Sequence, residues 1–183
     1  MCAYFVSFTN KLMWFSYFVF KFINAKIISV ITICGVLIMQ YTQANIGRIF
    51  AVRFDAEEDI IAELKDLIKK ENVRSGVIHL IGALTNTDAV IGPKKKEYPP
   101  NPEWWNFKDA KEIIGLGIFA WEEDEPKIHL HSGFGKKKET KIGCIRTKAE
   151  VYLTVEGIVQ EFIDTNITRK LDKRYNASLL NFE

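Results

Sequence analysis

The alternation of apolar and polar positions separates an apolar N-terminal stretch from a longer part with clear strand and helix periods. Residues 47–54 read Gly-Arg-Ile-Phe-Ala-Val-Arg-Phe, β-branched and aromatic, a strand by propensity. Ile60, Ile61, Leu64, Leu67 and Ile68 then recur at helical spacing, with Glu63, Lys65, Asp66, Lys69 and Lys70 filling the other faces. Asp55 and Asp59 ahead of them supply a cap and N-terminal negative charge. A second strand is predicted over 75–81, ended by Gly82, and another over 88–91, broken by Gly92-Pro93. Residues 94–109 carry Pro99, Pro100 and Pro102 beside Trp104 and Trp105, which predicts a surface loop that packs its tryptophans on something else. Strands follow over 112–121, 127–134, 142–146 and 149–160, and 171–182 reads as a closing strand or docked tail. One principal helix packed on a mainly antiparallel sheet makes the expected class α+β.

Charge sharpens the division. No Asp or Glu precedes Asp55, and residues 1–46 carry only Lys11, Lys21 and Lys26 as charged groups. The other 22 of the 25 Lys+Arg therefore face all 23 Asp+Glu within 47–183, a net charge of −1. That balance argues against DNA binding by bulk electrostatics. The expected organisation is an apolar extension, 1–46, ahead of a domain, 47–183, long enough to bury its own core. In the extension, the apolar runs 12–23 and 27–39 each fall short of the ~20 residues of a spanning helix. Three readings stay open for it: a signal sequence with Thr42-Gln43-Ala44 as cleavage site, a membrane anchor, or a mis-assigned start upstream of Met39. The domain itself reads as cytoplasmic, membrane-anchored only if the extension is retained.

Cys2 and Cys34 lie in the extension, which leaves Cys144 as the domain's lone thiol. Such a thiol suits a reducing compartment, either as core filler or as a ligand. His129 and His131 stand two apart in a predicted strand, so their side chains share a face. The polar run Gly135-Lys136-Lys137-Lys138-Glu139-Thr140 reads as a hairpin loop. If the turn centres on Lys137-Lys138, Cys144 falls opposite His131 on the same face. Two imidazoles and a thiolate would then meet, a ligand set that zinc favours, with a fourth position left for water or a small molecule. A one-residue change of register turns Cys144 away.

The domain resembles the prokaryotic form of the plants-and-prokaryotes-conserved (PPC) domain. The resemblance rests on Gly47-Arg48-Ile49-Phe50, the acidic helix start at 55–59, and Gly76-Val77-Ile78-His79-Leu80-Ile81 followed by Gly82-Ala83-Leu84. The His129-Leu130-His131 strand, Ala149-Glu150-Val151 and the closing Leu179-Leu180-Asn181-Phe182 complete it. It implies a compact α+β domain assembling as a homotrimer, with a zinc site built from the His-x-His strand and a third histidine after a glycine on the next strand. Here Cys144 follows Gly143 at that third position. The resemblance also implies a DNA-binding role, which this chain supports weakly: it has no Arg-Gly-Arg-Pro-like hook, and its basic clusters are 94–96 and 136–138.

The expected function is thus a zinc-binding module, trimeric, DNA-associated or regulatory. The alternative is a zinc-dependent enzyme or small-molecule sensor using the open metal position, and a blander one is a structural trimer whose histidines only pack. No nucleophile elbow, P-loop, dinucleotide fingerprint or paired-carboxylate motif argues for an enzyme, and no catalytic residue is assigned. Glu150 and Glu156 are the nearest candidates for a general base. His79, on an apolar strand, reads as a satisfied buried or interface histidine and as a fourth-ligand candidate should the strands converge. Lys136, Lys137 and Lys138 read as a solvated hairpin tip before a phosphate contact.

Overall fold

The computed structural model describes residues 39–182, so the readings of 1–38 as signal, anchor or untranslated segment lie outside the described residues. Eight strands and one helix follow in the order β1 (Asn45–Asp55), α1 (Ile60–Lys70), β2 (Ser75–Pro93), β3 (Pro102–Phe107), β4 (Lys111–Glu122), β5 (Glu125–Lys136), β6 (Glu139–Ile163), β7 (Ile167–Asp172) and β8 (Ala177–Phe182). Six of the strands form one sheet in the order β1-β6-β5-β4-β2-β3, every pair antiparallel. A further β6–β2 pairing closes β2, β4, β5 and β6 on one another. The hairpin β7–β8 is a separate two-stranded sheet.

The α+β expectation is overturned. Among the described residues, strand makes up 68% and helix 8%, so these form an antiparallel β architecture carrying one short helix. Three features hid the extra strand from a pattern reading. Gly82 does not end a strand; at φ 138° it lets β2 bend, and a Cβ there would run into the Thr154 carbonyl oxygen. Register shifts at Gly82/Leu84, Thr85/Thr87 and Thr87/Ala89 bend β2 and β6 together, so one 19-residue strand mimics two. The 102–107 segment is not a loop either: Pro102 opens β3, which lies at the sheet edge, where a missing N–H costs no ladder bond.

The helix forms for the expected reasons. Asp59 caps it, its Oδ1 accepting from the N–H groups of Ile61 (2.9 Å) and Ala62 (3.0 Å), while Oδ2 accepts from Ala149 N of β6 at 2.9 Å. An eleven-residue helix is marginal alone, so packing must hold it. Ile60, Leu64 and Ile68 are fully buried, each contributing about 1.5–3 kcal/mol, in a core shared with Ile78, Leu84, Phe119, Leu130, Phe134 and Val155.

Arg48 ties β1 to β6 and to the end of the helix. Its backbone N and Nε donate to Glu161 Oε2 (3.1 and 2.8 Å), and Nη2 donates to Glu161 Oε1 (3.1 Å) and to Glu71 O (2.8 Å). The Arg48 hydrogen bonds hold the nearly buried Glu161 carboxyl below the usual glutamate range. A carboxyl with a depressed folded pKa stabilises the fold above its unfolded pKa, and that stability fades as pH falls through the folded value. Glu161→Gln is therefore expected to cost about 1 kcal/mol at pH 7, modest because Arg48 is half-exposed. In urea denaturation the gap to the wild type should narrow steadily below about pH 4.5. A gap that widened in acid would contradict this pairing.

Candidate metal centre

The β5–β6 hairpin turns at Lys137-Lys138, with Lys136 paired to Glu139 and Lys137 in the left-handed region at φ 56°. That register places His131 opposite Cys144. Directly paired antiparallel residues share a face, and His129, two residues before His131, shares it too. The imidazoles stand Nε2 to Nε2 at 3.0 Å, their rings 79° apart. One ligand atom from each of His129, His131 and Cys144 falls within 4.8 Å of the others. Two nitrogens sharing a tetrahedral zinc, each bonded at about 2.0–2.1 Å, stand about 3.3 Å apart. The histidine pair is thus close to ligating separation already. Cys144, 4% exposed, donates weakly from Sγ to Ile145 O at 3.7 Å.

The electrostatics favour neutral imidazoles. Although both rings keep an exposed edge, burial first, then the neighbouring His131, Arg169 and Arg146, pulls the His129 pKa down to about 4. Burial and then Arg146 lower His131 as well. Both are therefore uncharged at neutral pH, the form that binds metals. Burial raises the Cys144 thiol, while Arg146 and Arg169 oppose that rise. Residues of this kind and spacing fit a borderline-soft divalent ion, zinc foremost.

Among the described residues no carboxylate joins this group. Glu150 is taken up by Asn86 Nδ2 (2.9 Å) and Lys148 Nζ (3.0 Å), and Glu156 pairs across the sheet with Arg53 and Ile81. His79 is exposed and stands in the same cross-sheet row as His131, but Leu116 of β4 lies between them, paired to both. It stays outside the cluster. Lys136 is held at the hairpin tip by Asp109 at 3.0 Å. Trp105 packs on Phe107 and edge-on to Phe134, with centroids 4.8 and 5.6 Å apart, whereas Trp104 is 46% exposed.

Sequence reasoning missed Arg169. It arises from β7, is 7% exposed, and donates through Nη1 to Ser178 O (2.7 Å) and through Nη2 to Ile118 O (3.3 Å). Ile118 is the β4 partner of His129, so this bond brings a guanidinium to the rim of the cluster. No sequence signal linked position 169 to position 129.

Around the cluster the outer face of the sheet is apolar. Ile81 (59%), Ile114 (76%), Leu116 (58%) and Ile158 (46%) are exposed there. Ile81, Ile114 and Ile158 border an open groove of about 650 Å³ that also takes in His79, Arg53 and Glu156. No described helix is long and apolar enough to cross a membrane.

Among curated proteins nothing matches the chain. Solved structures do match its fold. A plant- and prokaryote-conserved (PPC) protein from Pyrococcus horikoshii is 24% identical, covering 79% of this chain and 99% of its own, with a TM-score of 0.68. A metal-containing protein from Archaeoglobus fulgidus is 20% identical over 77% of this chain and 98% of its own, TM-score 0.68. A candidate DNA-binding protein from Bacteroides thetaiotaomicron is 19% identical over 76% and 97%, TM-score 0.64. The sequence model of the Plants and Prokaryotes Conserved (PCC) domain matches residues 41–163, a span that holds His129, His131 and Cys144. The chain belongs to the Plants and Prokaryotes Conserved domain family.

Proposed function

We propose that this protein is a zinc-binding module of the PCC family, a homotrimer in a reducing, cytoplasm-like compartment, with a regulatory or DNA-associated role. The observation that carries the metal reading is the convergence of His129, His131 and Cys144, each on a paired strand whose register fixes its face. When bound, zinc would supply Lewis acidity at its fourth position. The chain's own contribution is two neutral imidazoles, a thiolate whose proton leaves on binding, and a sheet that holds all three in place. The fold likeness to a metal-containing archaeal protein agrees with this reading.

The trimer draws on the family resemblance, and the exposed Ile81, Ile114, Leu116 and Ile158 support it, because a monomer seldom leaves such a contiguous apolar face in water. The DNA-associated role draws on the candidate DNA-binding protein of the same fold. The near-neutral domain leaves that binding weak and strongly salt-dependent.

Both parts are open to direct test. Purified protein equilibrated with zinc and dialysed should retain about one ion per chain. Labelled duplex DNA should bind at about 50 mM salt and be released by about 200 mM. A metal-free folded protein would remove the first part, and no duplex binding even at low salt would remove the second.

A further inference from the structure

The charge around the three donors is one-sided. His129 and His131 are neutral ligands and Cys144 binds as a thiolate, so a divalent ion leaves the centre at +1. The charged side chains acting on these three residues are Arg146 and Arg169, both positive.

Arg169 is the more constrained of the two. A guanidinium this buried is expensive unless a carboxylate neutralises it. Glu122 is the carboxylate whose field reaches it, yet its Oε2 pairs with Lys127 at 3.8 Å, its Oε1 is buried without a hydrogen bond, and it makes no described ion pair with Arg169. Two of its nitrogens are spent on carbonyl oxygens, and its Nε is buried with no partner. Beside it, Ser178 Oγ is buried and unpartnered as well. Arg146 lies two residues beyond Cys144 on β6, exposed, and makes no ion pair among the described residues. A buried cation, an exposed cation and an open position at a cationic centre share one unmet requirement, which is negative charge.

We propose that the open position of this centre takes a small oxyanion of the carboxylate or phosphate class, oriented by Arg146 and Arg169. One oxygen would occupy the fourth ligand position while the arginines donate charge-assisted hydrogen bonds to the others. The inference rests on the metal reading above and names the ligand class for that same site. It selects a free small anion over a nucleic-acid backbone at this position, because the domain's net charge of −1 gives a polyanion no bulk attraction. Arg169 belongs to the β7–β8 hairpin, beyond the family-matched residues 41–163, so this part of the site lies outside the matched segment.

The test uses full-length protein loaded with cobalt(II), whose visible absorption reports the ligand sphere. Loading is established first; then inorganic phosphate, acetate and a phosphate-matched DNA duplex are titrated in separate arms. Phosphate and acetate should each shift the spectrum saturably, and the duplex should not. Arg146→Gln should load cobalt as the wild type does yet weaken the anion response about tenfold, the loss of one charge-assisted hydrogen bond. Arg169→Lys, which keeps the charge but loses the fork, should weaken it as well. Cobalt loading with no response to either anion overturns this proposal alone. So does a response that Arg146→Gln leaves unchanged, or one given by the duplex only. Failure to load cobalt overturns the metal reading and this inference together.

Discussion

Cys144→Ser is expected to lower zinc affinity by about two orders of magnitude while leaving the metal-free fold intact. The magnitude follows from dividing a typical structural-zinc binding energy of about 10–16 kcal/mol among four ligands, roughly 3 kcal/mol each. Serine nearly matches the volume of cysteine, and the buried Sγ makes only a long contact to the neighbouring carbonyl, so little packing is lost. His131→Ala should cost as much, since that imidazole sits directly opposite Cys144 and 3.0 Å from His129. His79→Ala is the informative control. It lies in the same row with Leu116 between, and its loss should leave affinity unchanged. Competition against a chromophoric chelator measures all three variants. An unchanged affinity in Cys144→Ser, or a large loss in His79→Ala, would contradict the assignment.

The second large effect concerns assembly. Ile114→Lys combined with Leu116→Lys should convert a trimer into monomers without unfolding the chain. Both side chains point away from the core and are 76% and 58% exposed in the single chain, so the substitutions remove nothing from the interior. At an interface each would contribute about 1.5–3 kcal/mol of apolar burial, and a lysine there adds the cost of stranding a charge. Multi-angle scattering at micromolar concentration should give a threefold fall in mass with unchanged circular dichroism. A wild type that is already monomeric at that concentration would overturn the trimer.

Much of the site was legible because it depends on short-range rules. The strand period places His129 and His131 together, and a polar six-residue loop opening at Gly135 fixes the turn, hence the partner of His131. The fold class was not legible because its decisive features are long-range. The helix at Ile60–Lys70 is the clearest local signal in the domain and invited too much weight, though it supplies only eleven residues. Gly82 looks like a strand end, yet it lies within one bent strand and pairs on both sides, whereas Gly92-Pro93 does close that strand. Pro102 looks like a loop residue because its tolerance depends on lying at a sheet edge, which local sequence does not reveal. The strand Ile167–Asp172 carries Thr168, Arg169, Lys170 and Asp172 and has little apolar alternation. Its buried arginine is placed by a hairpin docking on β4, a contact across 51 residues of sequence.

Zinc K-edge X-ray absorption on the zinc-loaded protein reads the ligand set itself. One sulfur at about 2.3 Å, two imidazole nitrogens at about 2.0–2.1 Å and one further light atom are expected. A spectrum with no sulfur, or with more than one, would contradict the His129–His131–Cys144 centre.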